Sequence, residues 1–241
     1  LMKMSRDAGI PVRIRACDTM GYGVPYPEVA LPRSVPGIVY GLQHYSDVKS
    51  DMLEWHGHND FYKAVANAST AWLYGACAVN CSLLGIGERT GNIPLEAMVM
   101  EYASLRGSLD GMDTSVITEI AEFFEKDIGY KIPPMTPFVG ENFNVTRAGI
   151  HADGILKDEE IYNIFDTTSL LKSPPGVAIT QTSGQAGIAM WLSNYLKEDI
   201  DKNDKRVVKL KEWVDAQYDG GRITTIGFEE LEQVGMELKI I

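Results

Sequence analysis

Between Leu53 and Leu105 an extended run, a helical run, a second extended run and a second helical run follow one another, and that order leaves few ways to fold. Leu53 to His58 reads as a strand. Phe61 to Tyr74 sets Phe61, Val65, Ser69 and Trp72 three or four residues apart and closes on Gly75, which predicts an amphipathic helix. Ala76 to Leu84 is the next strand and Pro94 to Leu105 the next helix. Strands that return through helices pair in parallel, so these are βαβ units. Val12 to Thr19 adds an earlier strand, ended by Gly21, Gly23, Pro25 and Pro27, and a proline-broken helix is expected from there to about residue 50. In parallel α/β folds, sites form at the carboxyl ends of the strands. Thr19, His58 and the loop Gly85-Ile-Gly-Glu-Arg-Thr-Gly-Asn92 all fall at such ends.

Side chains alternate faces along a strand, so His56 and His58 point the same way and can hold one cation through two imidazole nitrogens. The same alternation aligns Glu54 with them and sends Leu53, Trp55 and Gly57 to the opposite side, where helices would cover them. Only four histidines occur in the 241 residues, and His56, His58 and His151 sit beside Gly, Asn or Asp in segments that read as strand ends and loops.

The net charge of −11 without basic clusters argues against nucleic acid and anionic membranes as partners. No apolar run is long enough to cross a bilayer. Cys17, Cys77 and Cys81 are odd in number and lie in apolar contexts, which predicts reduced, buried thiols and a cytoplasmic location. Leu1 to Gly9 reads as the end of a helix running into a strand, so an earlier part of the chain is expected. Beyond Gly107 the pattern changes. Asp113 caps a helix carrying Val116, Ile117, Ile120, Phe123 and Phe124 on its apolar side, and Pro133, Pro134 and Pro137 break it. The division predicted is residues 1–107 as an α/β domain, 108–137 as linker helix and proline-rich connection, and 138–241 as mainly helical subdomains. Helices are expected at 158–165, 183–197, 205–218 and 227–238, with Met190, Trp191 and Trp213 in their core.

His56-Gly-His-Asn-Asp60, then Gly85-Ile-Gly-Glu-Arg-Thr-Gly-Asn92, then Arg147-Ala-Gly-Ile-His-Ala-Asp-Gly154 occur in this order. Together they resemble the metal-dependent TIM-barrel acyltransferases of the HMGL-like type that condense acetyl-CoA with a 2-oxo acid: homocitrate, 2-isopropylmalate, citramalate and Re-type citrate synthases. Gly140 to His151 and Ser173 to Gly184 look most like the Re-type citrate synthases. The resemblance implies that the three strands are the sixth, seventh and eighth of a (β/α)8 barrel, followed by a helical subdomain region. It also implies that the first strand, with its acidic metal ligand, lies outside this sequence, and that the 241 residues alone are inactive.

What the resemblance implies about chemistry is specific. His56 and His58 are ligands of Mn2+, Mg2+ or Zn2+, and Asn92 is a further ligand or a donor one water away. Glu54 orients a histidine N–H or a bound water, or instead pairs with Arg13 or Arg15. Glu88 supports the loop, either toward the metal or as an ion pair with Arg89. Thr19 binds the oxo-acid carboxylate. His151 is a general acid/base assisted by the Tyr162 hydroxyl, and it reaches the barrel of a partner subunit in a homodimer. Acetyl-CoA is the co-substrate and oxaloacetate the expected oxo acid. Competing readings are a homocitrate, 2-isopropylmalate or citramalate synthase, a hydroxymethylglutaryl-CoA lyase-like enzyme, and a non-catalytic metal-binding or interaction module. The lyase class typically has a cysteine in the glycine-rich loop, and Gly85 to Asn92 has none.

Overall fold

The structure is a computed structural model that describes residues 1–147 and 149–241, with Gly149 and Leu156 described by their backbone. The chain forms two compact units, Leu1–Met112 and Asp113–Ile241.

In the first unit, helix α1 (Met2–Ala8) precedes strand β1 (Ile14–Asp18), helix α2 (Val35–His44), strand β2 (Leu53–Gly57), helix α3 (Ala64–Leu73), strand β3 (Ala78–Ser82), the two-residue strand β4 (Ile93–Pro94) and helix α4 (Leu95–Arg106). The sheet order is β1-β2-β3-β4, every pair parallel. A doubly wound sheet reverses its strand order at a switch point, whereas a barrel does not. The unreversed order is the winding of a (β/α)8 barrel, as expected.

Alternation along β2 divides its faces as the sequence required. Leu53 and Trp55 are fully buried against helices, each burial contributing about 1.5–3 kcal/mol, while Glu54 and His56 stay half-buried on the other face. Ala64, Ala68 and Ala71 of α3 are also buried, and their small side chains let that helix lie close to the sheet. The helix expected through residue 50 is shorter. Pro25, Pro27 and Pro32 disfavour helical backbone at and before themselves, and α2 starts only where Ser34 caps it, its hydroxyl accepting from Gly37 N at 3.0 Å. The expected burial of the thiols does not hold. Cys17 and Cys77 are exposed and Cys81 is half-buried, because Cys17 falls on the polar face of β1 and Cys77 precedes β3.

The second unit contains α5 (Val116–Lys126), β5 (Val145–Thr146), α6 (Gly149–Lys157), α7 (Thr167–Leu171), β6 (Gly176–Val177), α8 (Gln185–Leu196), α9 (Lys205–Asp219) and α10 (Phe228–Glu237). Its core joins Ile188, Trp191 and Leu192 of α8 to Val207, Leu210 and Val214 of α9 and Leu231 of α10, with Trp213 packed alongside and Met190 buried. Of the segment 108–137 read as a connection, residues from Asp113 onward lie in this unit, where Thr114 and Thr118 donate to the carbonyls of Leu170 and Leu171 at the end of α7. The helix expected over 158–165 is a single 3-10 turn, Glu159–Ile161. Its polar side chains bond locally instead, Asp158 to Glu160 N and Glu159 to Thr167 N, which competes with helical propagation.

Candidate metal centre

On the polar face of the first unit's sheet, register decides what meets what. Arg15 lies opposite Glu54, Cys17 opposite His56, and His56 opposite Asn80. The His56 and His58 rings cross at 86°, and their Nε2 atoms face each other at 3.2 Å. Two nitrogens bound side by side to one ion at about 2.0–2.1 Å stand about 2.8–3.4 Å apart, so the pair is already spaced for chelation. His58 is 8% exposed, and Gly21 fixes its backbone closely: a Cβ on Gly21 would lie 2.2 Å from the His58 carbonyl oxygen, and Gly21 has a φ of +61°.

Asn92 comes to His58 by an antiparallel bridge between their backbones. Its Oδ1 is buried and has no hydrogen-bond partner among the described residues. Imidazole nitrogens and a carboxamide oxygen are both donor types that suit a divalent cation. Among the described residues no cluster of three His, Cys, Asp or Glu side chains forms a metal site.

Glu54 shares the face of the histidines, yet both its oxygens are taken, by Arg13 at 2.8 Å and Arg15 at 2.9 Å. These arginines, Arg13 foremost, hold its carboxyl below the usual carboxylate range. The group that touches His56 is Asn80, whose Oδ1 lies 2.9 Å from His56 Nδ1. Sequence reasoning missed it. The only available signal was an uncharged polar side chain on the inward face of the strand Ala78–Ser82.

Glu88 is almost wholly exposed and stands 3.6 Å from Arg89. The firm partner of Arg89 is Asp60, at 2.9 Å, and Arg89 also donates to the carbonyl of Thr19. One guanidinium thus ties the glycine-rich loop to the ends of β1 and β2, and it holds the Asp60 carboxyl below its usual range. Thr19 itself sits one residue past β1 in an exposed turn. A further residue not anticipated is Glu96, 5% exposed in the first turn of α4, which accepts from Leu84 N at 3.1 Å where the loop begins. Burial raises its carboxyl above the usual range.

His151 and Tyr162 lie in the second unit. His151 is exposed on α6, in a helix rather than the expected loop. Its ring centre is 4.5 Å from that of Tyr162, at a tilt of 43°. Gly154 makes room for this contact, since a Cβ there would be 2.3 Å from the Tyr162 ring. Of the motif around His151, Ala148 lies outside the described residues.

Residues 2–124 match the HMGL-like family model. The chain is 61% identical over 96% of its length to a citrate (Re)-synthase of Clostridium kluyveri, of which it covers 52%. It is 52% identical over 96% of its length to a citrate (Re)-synthase of Syntrophus aciditrophicus, of which it covers 38%. A 2-phosphinomethylmalate synthase of Streptomyces hygroscopicus is 38% identical over 94% of this chain and 51% of its own length. The chain thus spans about half the length, or less, of these curated relatives. With the parallel sheet, the paired histidines and the glycine-rich loop beside them, the match leaves one conclusion: the chain belongs to the HMGL-like family.

Proposed function

We propose that this chain serves an acyltransferase that condenses acetyl-CoA with a 2-oxo acid, using oxaloacetate to form citrate. One observation carries the reading: two histidine nitrogens converge to 3.2 Å at the carboxyl end of a parallel sheet, in a chain 61% identical to a citrate (Re)-synthase. A divalent ion bound there, Mn2+, Mg2+ or Zn2+, would supply Lewis-acid polarisation of the ketone and stabilise the alkoxide. His56 and His58 hold it as neutral imidazoles, and Asn92 offers Oδ1 from the adjoining strand end. The Thr19 hydroxyl binds the oxo-acid carboxylate, and Arg89, anchored on Asp60, keeps the Thr19 turn and the glycine-rich loop at a fixed separation.

The proton work falls to His151. It takes a proton from the acetyl methyl or returns one to the new alkoxide, assisted by Tyr162, whose ring packs against its own. In this reading two copies of the protein associate, each lending His151 to the other's site, and the protein works in the cytoplasm. A screen of oxaloacetate, 2-oxoglutarate, 2-oxoisovalerate and pyruvate with acetyl-CoA, followed by free thiol release in full-length protein, tests the proposal. Turnover should be highest with oxaloacetate and should disappear in His58→Ala together with bound metal. Equal metal content and rate in that variant would refute the site. Preference for another oxo acid would refute the substrate.

A further inference from the structure

We infer that Asn80 is a positioning residue that fixes the tautomer of His56. This deepens the functional reading above, and its metal-affinity arm rests on that reading. His56 and Asn80 are register partners on adjacent parallel strands, so the backbone ladder itself sets their approach. Asn80 Oδ1, a carbonyl-type oxygen, can only accept, and at 2.9 Å from His56 Nδ1 it requires the hydrogen on that nitrogen. A neutral imidazole with Nδ1–H has a bare Nε2, and this is the atom directed at His58. Such an outer partner orients a ligating histidine and makes its free nitrogen more basic.

His58 has no counterpart. Its Nδ1 is buried and has no hydrogen-bond partner among the described residues. In the metal-free protein His56 Nε2 accepts, so His58 Nε2, 3.2 Å away, carries the hydrogen. The pair is thus asymmetric: His56 is preset for a ligand, whereas His58 has to exchange its Nε2 hydrogen for one on Nδ1. The sheet register, not the His-x-His spacing, creates this difference.

The test uses full-length protein labelled with 15N-histidine and stripped of metal, its imidazole signals assigned through single His→Gln variants. Long-range 1H–15N correlation should show His56 as the Nδ1–H tautomer and His58 as the Nε2–H tautomer. Asn80→Ala should move His56 toward Nε2–H, and Asn80→Asp should keep Nδ1–H. Calorimetric titration with Mn2+ should show binding weakened about 10- to 100-fold by Asn80→Ala and restored by Asn80→Asp. A wild-type His56 in the Nε2–H form overturns the inference, and that spectrum decides even if Asn80→Ala folds poorly. An unchanged His56 pattern in well-folded Asn80→Ala overturns it as well. If wild-type protein binds no Mn2+ but shows the tautomers and their response to Asn80→Ala, the role of Asn80 stands and the metal reading fails.

Discussion

Adding one methyl group at Gly87 should weaken metal binding while leaving the fold intact. A Cβ at this position would meet Asn92 Cγ and Oδ1 at 2.6 Å and Nδ2 at 2.9 Å, all at the far end of a side chain. The φ of Gly87 lies outside the left-handed region, so alanine costs the backbone no strain there. Restoring an ordinary van der Waals separation of 3.4–4 Å requires the Asn92 carboxamide to retreat by about 0.8–1.4 Å. Metal–ligand bonds tolerate only about 0.2 Å of error, so the retreat is about four to seven times what a bond to Oδ1 can absorb. Mn2+ affinity measured by calorimetry on full-length Gly87→Ala should fall at least about tenfold, with Tm within a degree or two of wild type. Gly91→Ala is the control for general damage. Its φ is +97° and its Cβ would lie 2.3 Å from the Gly85 carbonyl oxygen, so Tm should fall as well. Wild-type Mn2+ affinity in Gly87→Ala would refute the assignment of Asn92 to the ion.

Glu96→Gln should raise Tm at neutral pH. A carboxyl whose folded value is raised loses stability as pH climbs from the unfolded value, about 4.3, toward the folded one, so the advantage of Gln should vanish below about pH 4. Asp60→Asn should do the reverse. Arg89 depresses the Asp60 carboxyl, so the clamp contributes above about pH 4 and is lost as pH falls through the depressed value, and acid unfolding curves of variant and wild type should converge there. Leu192→Ala in the second unit, at a fully buried position, should cost about 2–5 kcal/mol in denaturant unfolding while Mn2+ affinity stays at the wild-type value. His151→Ala should lower kcat by about 10²- to 10⁴-fold with KM for the oxo acid nearly unchanged. Mixing it with His58→Ala should then restore part of the activity, and an absence of rescue would sink the exchange of His151 between subunits.

Local periodicity was enough to read the elements that carry strong patterns. The two-residue period of Leu53 to His58 determined which side chains of β2 face helices and which face chemistry, and the three- and four-residue spacing placed α3, α4, α8, α9 and α10 nearly to the residue. That His56 and His58 face each other was legible because alternation along one strand is local. The proline-rich segment before Val35 and the turn at Glu159–Ile161 were not, because caps and side-chain bonds to the backbone override a loose helical pattern there. Other matters belonged to tertiary structure alone. Parallel register brings Asn80 to His56, 24 positions away in sequence, and it decided between the two roles open to Glu54 by setting that carboxylate against Arg13 and Arg15. The ladder therefore took Glu54 away from the histidines and set Asn80 against His56 alone. In the same way Arg89 closed on Asp60 rather than its neighbour Glu88, since a bidentate bond to a partly shielded carboxylate outweighs contact with one in open solvent.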